Sequence, residues 1–436
     1  MRKTRLADLV NERHPLVKLA RQIDWRSFDE RFGAYYRSGR GRPAISTRLM
    51  VSLHYLKYTH DLSEEAVVRE WVENPYWQYL SGMEFFEYEF PINPSSMSRW
   101  RSRVGEAGAG ELLKETIEAG LRLKVIKPSE LRRVNVDTTV QEKHIRFPTD
   151  PRLYDRMRER LVKAAREEGV ALRQSYARVG KRLLARQSRY VHAKQWRRAR
   201  RCTSKLRTIL GRVIRDIERK VPDPPGERIG DLLALAKRLH LQRRHDKGKL
   251  YSVHAPEVEC VSKGKAHKRY EFGCKVALAA SSKGGWILAA QALEGNPYDG
   301  HTLQGTIDRI VSTSGIEPEH AYVDMGYRGY DYEGGCEIHV GRRRRGSVPK
   351  ALWRWMRRRA AIEPSIGHLK EDRWMERCRL KGAEGDKVNA AVLSAAGMNF
   401  AKLLAALEAL LSFLLARLVA PFASRSSHAT PVANAR

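Results

Sequence analysis
Between Ala171 and Arg215 the chain carries 15 Lys or Arg and no acid. Such a run cannot enter a core and repels itself unless a polyanion relieves it, so it must lie on the surface of whatever this chain becomes. Within and just beyond it, Leu206, Leu210, Val213, Ile214, Ile217 and Val221 recur at helical spacing. The segment therefore reads as a helical arm with one packed edge and one basic face, suited to a nucleic-acid backbone. The whole chain agrees: 82 Lys plus Arg against 50 Asp plus Glu give a formal charge of +32 over 436 residues. Nucleic acid is the commonest partner of such a charge, and anionic lipid the lesser one. A hydrophobic content of 42% excludes a disordered chain. The five cysteines stand far apart, which argues against a disulfide framework or a zinc site built on them. The segment MRKTRLADLVNERHPLVKLA has no apolar core of the signal-peptide kind, so we expect a cytoplasmic chain.

Around the arm the pattern changes twice. Residues 1–130 read as a helical DNA-binding or dimerisation domain, with helices at Ile45–Leu56, Glu64–Leu80 and Ser95–Val104. Arg101 and Arg103 beside Trp100 suit docking on duplex DNA, and packing is the alternative. The aromatics Trp71, Tyr76, Trp77, Tyr79, Phe85, Phe86, Tyr88 and Phe90 read as core rather than base-stacking groups. Residues 131–146 contain a strand in which Val134, Val136, Thr138 and Val140 alternate with Asn135, Asp137 and Thr139, placing an acid on one face. Residues 147–250 form the basic helical insertion. Residues 251–400 return to strands: Glu257–Ser262 and Tyr270–Ala280 as a hairpin around Lys263-Gly264-Lys265, then Trp286–Leu293. A helix at Leu303–Ser314 leads into an apolar strand ending at Asp324, followed at once by a glycine turn at Gly326. A short strand, Glu337–Val340, runs into Arg342, Arg343, Arg344 and Arg345. Residues 401–436 are an apolar helix and a tail; Lys402, Glu408 and Arg417 argue for a buried or dimer-forming helix rather than a membrane span.

The last helical stretch reads RRRAAIEPSIGHLKEDRWMERCRLK from Arg357 to Lys381. On one α-helix Met356, Arg359, Glu363 and Lys370 would fall within about 40° of a line, setting a carboxylate between two cations. A solvated salt-bridge ladder has the same spacing. Pro364 places Glu363 at a helix start or a kink. Asp137, Asp324 and Glu363 lie 187 and 39 residues apart, and a mixed sheet with helices on its faces could bring them together. Three converging acids suit two divalent ions, for which Mg²⁺ is the natural candidate. Asp299 and His301 in NPYDGHTL could orient a nucleophile or a ligand, although a capping or loop role is the plainer reading. His254 and His368 are read the same way, and Trp353 and Trp355 as packing under the last helix.

VDTT at 136–139, VDMGYRG at 323–329 and R-x3-E-x6-K at 359, 363 and 370 resemble the signatures of DDE transposases of bacterial insertion sequences. IEPSIGHLK, LKGAEGD and NAAVLSAAGMNF are similar to the branch usually grouped with insertion sequence five. The resemblance implies an α/β, RNase H-like mixed-sheet catalytic core with a helical amino-terminal domain. It implies Asp137, Asp324 and Glu363 as ligands of two Mg²⁺ ions, with Mn²⁺ able to substitute. It implies Arg359 and Lys370 on transposon-end phosphates; from the residues themselves, Arg101, Arg103 and Arg342 to Arg345 are further candidates for contact with double-stranded DNA, both terminal repeats and target, in a homodimer or higher assembly. Two departures stand out: Met356 occupies the position of a tyrosine in the related signature, and the long insertion follows the first acid rather than the second. A nuclease without strand transfer, or a catalytically silent DNA-binding descendant, would share these residues.

Overall fold
The structure is a computed structural model and describes residues 4–36, 44–222, 225–262, 268–341, 348–389 and 393–423, with side chains of the last helix as far as residue 412. The chain forms two compact units. One comprises Met1–Gln141, Lys275–Leu380 and Glu384–Arg436, the other Glu142–Cys274 and Lys381–Ala383.

The first unit opens with helices, and side chains set where they begin. Ser46 Oγ accepts from Leu49 N–H at the start of Thr47–Thr59, and Ser63 Oγ from Ala66 N–H at the start of Glu64–Glu73. The sequence predicts one helix from Glu64 to Leu80, but there are two. Pro75 cannot continue the hydrogen-bond ladder, and Asn74 caps a new helix, Pro75–Leu80, by accepting from Tyr76 and Trp77 N–H. The helix expected at Ser95–Val104 runs on to Arg122, yet its path breaks at Gly105, whose φ of 60° and ψ of −162° lie outside any helix. Of the aromatic cluster, Trp71 and Trp77 are buried, while Tyr88 and Phe90 are 77% and 65% exposed.

The sheet is built from β1 (Arg133–Lys143), β2 (Glu259–Val261), β3 (Glu271–Ser281), β4 (Ile287–Leu293), β5 (His320–Val323), β6 (Glu337–Val340) and β7 (Arg377–Cys378). In the first unit the order is β4-β3-β1-β5-β6, with β7 on β1. β3 and β4 are antiparallel; β1, β5 and β6 run parallel. This is the mixed sheet of an RNase H-like α/β core. The helix Leu303–Ser314 connects β4 to β5 and packs on β4 and on Ser95–Arg122. Because β1 is an inner strand of a covered sheet, Asn135 and Thr139 are buried along with Val134 and Val136. Only Arg133, Asp137 and Glu142 of this strand retain some access, so the simple in/out alternation expected for β1 does not hold.

The last helix, Ser394–Ala423, begins earlier than expected. Its Ser394–Ser412 stretch is long and apolar enough to cross a membrane by length and composition, but 56% of that window is buried in the protein. Phe400 stacks on Tyr55 at 4.7 Å. Asn399, fully buried, accepts from Ile287 N–H at 2.9 Å and donates to Ile287 C=O at 2.8 Å, which locks the helix to β4.

The second unit packs four helices, Asp150–Glu167, Ala177–His192, Trp196–Glu218 and Glu227–Leu241. Met157, Leu161, Leu210, Val213, Ile217 and Ile229 are among its buried residues, so the helical spacing of the basic stretch does mark a packed edge. β2 pairs with the first residues of β3, Glu259 opposite Gly273 and Val261 opposite Glu271. The Lys263-Gly264-Lys265 turn lies outside the described residues.

Candidate active site
Two acids meet through strand register. β1 and β5 are parallel neighbours with Asn135 paired to Tyr322, so Asp137 and Asp324, each two residues further on, stand at the same level on adjacent strands. Asp137 keeps 18% exposure and accepts from the N–H of Thr138 at 2.7 Å. Asp324 caps the turn Met325–Tyr327 by accepting from Gly326 N–H at 2.8 Å. Gly326 leaves both acids in place there: a Cβ would lie 2.9 Å from Asp324 Oδ1 and 3.1 Å from Asp299 Oδ2 and would push their carboxylates aside.

Asp299 thus joins the cluster as a fourth acid, in place of the plain loop role that the sequence favours for it. Its Oδ1 accepts from Thr138 Oγ1 at 2.9 Å and from the buried Lys275 ammonium at 2.7 Å. Lys275 also donates to Pro297 C=O at 2.6 Å. Next to these groups the Tyr327 hydroxyl is fully buried. Burial first, and then the negative charges of Asp137, Asp299 and Asp324, push its pKa well above the usual value, so it stays protonated.

Glu363 arrives from another direction. The chain runs as the helix Lys350–Arg358, a tight turn at Arg359–Ala361, and the helix Ile362–Asp372. The intervening 3₁₀ turn winds three residues per turn, so the continuous α-helical line expected from Met356 to Lys370 is broken. Glu363 sits in the first turn of the new helix, where Pro364 is tolerated. The segment is tied to the sheet through Asn135, which donates to Arg358 C=O at 3.1 Å and accepts from Ser282 Oγ at 2.6 Å. Arg358 in turn donates to the carbonyls of Ser282 and Lys283. Trp355 stacks on Tyr322 at 6.3 Å, the packing role expected of it. These anchors bring Arg359 to 3.8 Å from Asp137 and 3.5 Å from Glu363, joining the two acids through one guanidinium. Among the described residues the three predicted acids do not gather within 4.8 Å of one another in this state. Lys370 lies two turns along the helix from Glu363. A surface pocket beside them is lined by Asp324, Met325, Gly341, Trp353, Met356 and Arg359.

The remaining predicted residues separate. Arg101 is 5% exposed and its guanidinium is held by Glu64 and Ser98, so the expected DNA contact gives way to an internal ion pair that braces two helices. Arg103 is exposed and lies over the Tyr36 ring at 4.9 Å. Arg342, Arg343, Arg344 and Arg345 lie outside the described residues. His301 pairs with Asp331 at 2.7 Å rather than with Asp299, His254 with Ser252 and His368 with Asp372. In the basic stretch every Lys and Arg from Arg173 to Arg215 is exposed except the half-buried Arg207. Among the described residues none of them forms an ion pair with a carboxylate.

The chain matches two families of known proteins. Residues 4–103 match the family described as Transposase domain (DUF772), and residues 242–397 match the Transposase DDE domain. The chain belongs to the DDE transposases of insertion sequences. The second match contains Asp299, Asp324 and Glu363 but begins beyond Asp137, because the insertion separates β1 from the rest of the core. A Rhizobium meliloti protein titled "Uncharacterized protein ORF8 in nfe locus" is 54% identical over 194 residues, covering 44% of this chain and 93% of that protein. No solved structure matches the chain. Transposases of this family act on DNA and use divalent metal ions.

Proposed function
We propose that this transposase cleaves DNA strands at the ends of its insertion sequence and transfers the freed 3′ ends into target DNA. The observation that carries the reading is the shared level of Asp137 and Asp324 on adjacent parallel strands, with Arg359 linking Asp137 to Glu363. The donor set supports magnesium chemistry, since it consists of carboxylate oxygens and hard divalent ions prefer these. Asp137, Asp324 and Glu363 would hold two Mg²⁺ ions, or Mn²⁺ in their place, which when bound supply activation of the attacking oxygen and stabilisation of the leaving one.

The chain's own residues then position the DNA. Arg359 and Lys370 bind phosphates flanking the scissile bond, and a guanidinium serves this well because its fork matches two phosphate oxygens. Asn135 and Arg358 keep the Glu363 helix on the sheet. The Tyr327 hydroxyl, kept protonated among the acids, is a donor and not a base. Arg103, Arg342 to Arg345 and the exposed cations of the insertion are further DNA contacts, and the protein acts as a homodimer or higher assembly on paired ends.

The test is cleavage and joining of labelled DNA carrying the element's own ends, with Mg²⁺ or Mn²⁺, for the wild type and Glu363→Gln. Nicking and joining that both vanish in the variant support the transposase. Nicking without joining would replace it by a nuclease, and binding without cleavage under either metal would leave a silent DNA-binding protein.

A further inference from the structure
At the end of β5 remote from Asp324, three side chains converge that transposition does not use. His320 opens β5 and Glu337 opens β6, and these two are paired in register, as are Tyr322 and His339. Residues two apart on a strand share a face, so His320, Tyr322, Glu337 and His339 lie on one side of the parallel pair. His320 Nδ1 is 3.1 Å from His339 Nε2 and 3.2 Å from Glu337 Oε2, and His339 Nε2 is 3.7 Å from that same oxygen.

Those separations have a chemical meaning. A tetrahedral zinc ion with bonds of about 2.0–2.2 Å holds its ligand atoms about 3.3–3.6 Å apart, so the triangle has the size of one face of such a tetrahedron. The ring of His339 is stacked on Tyr322 at 5.0 Å with planes 17° apart, which fixes the direction of its nitrogen. His339 is buried while the Glu337 side chain is 64% exposed, so the group is anchored on one side and open to solvent on the other.

We propose that His320, Glu337 and His339 bind a divalent transition cation of the zinc type, with water in the fourth position. Two imidazoles and one carboxylate favour Zn²⁺, Co²⁺ or Ni²⁺ over Mg²⁺, so this site and the carboxylate site sort different metals. The ion would pin together the starts of two strands whose connection begins with Asp324. It is distinct from the five scattered cysteines and draws on no residue of the proposed reaction.

The test uses the full chain, stripped with a chelator and titrated with Co²⁺ and then Zn²⁺. We expect one equivalent of Co²⁺ to give the intense visible band of a four-coordinate site, displaced by Zn²⁺. His320→Gln and Glu337→Gln replace partly exposed side chains and should each weaken binding at least tenfold, with unchanged far-ultraviolet circular dichroism. Asp324→Asn should leave the band intact. The proposal fails if the wild type binds Zn²⁺ no more tightly than the two variants. It also fails if the band is lost in Asp324→Asn and kept in His320→Gln.

Discussion

Replacing Asp299 by Asn tests whether this acid supports the site through Lys275. The Lys275 ammonium is 8% exposed and meets Asp299 Oδ1 at 2.7 Å and Pro297 C=O at 2.6 Å. Asn keeps the size and one acceptor but removes the charge. Breaking a fully buried pair costs about 3–5 kcal/mol, and a hydrogen bond to a charged group contributes about 1.5–3 kcal/mol. Asp299 is 26% exposed, so water can solvate part of the loss and we expect about 2–3 kcal/mol. At about 2–4 °C per kcal/mol for a large domain, Tm should fall by about 4–12 °C, in the transition of the unit containing Lys275–Leu380. The decisive comparison is with Lys275→Met. In that background no ammonium is left uncompensated, so Asp299→Asn should cost less than about 1 kcal/mol. Equal cost with and without Lys275 would refute the ion-pair account and assign the effect to the Thr138 hydrogen bond.

Three further outcomes are expected. Lys57 is buried with its ammonium 3.8 Å over the Trp374 ring, and burial, then Arg101, lowers its pKa from 10.5 to about 7. The unfolded chain therefore holds an extra proton between about pH 7 and 10.5, and the stability lost through this residue is regained as pH rises across that window. Lys57→Met should stabilise by about 2–4 kcal/mol at pH 6 and by clearly less at pH 9.5, read by urea unfolding; a difference independent of pH would contradict this. Gly105→Ala meets no atom within 4 Å, so its whole cost is the backbone at φ 60°, about 1–3 kcal/mol by thermal melting, and an unchanged Tm would remove that explanation. Replacing Arg197, Arg198, Arg201 and Lys205 by Gln should flatten the dependence of log K on log salt for DNA binding, by about 0.9 for each phosphate that is no longer neutralised, whereas an unaltered slope would take this face off the DNA.

The parts of the site that the sequence makes legible are those declared by local pattern. β1 is a Val- and Thr-rich run carrying one acid, β5 is an apolar run closed by an acid and a glycine turn, and the parallel register that aligns Asp137 with Asp324 follows from the fold class. What stays hidden depends on partners distant in sequence. Asp299 looks like a loop acid until Lys275, on another strand, is seen to reach it. Arg101 looks like a DNA-facing cation because Glu64 meets it only after the two helices pack. The His320, Glu337 and His339 group is invisible because each residue is ordinary alone and only strand pairing assembles them. The true helical phase from Met356 to Lys370 is hidden too, because periodicity assumes one kind of turn and the chain uses a tighter one at Arg359–Ala361.

The guanidinium of Arg359 between Asp137 and Glu363 makes the resting site a lock that already contains a cation. On the proposed reading, an ion entering there would displace the arginine, and a duplex phosphate would offer the arginine somewhere to go. Metal and DNA would then assist each other's binding, because each would relieve the charge that the other leaves unbalanced. On the proposed reading, the protein would carry its acids in a muted form until DNA arrives.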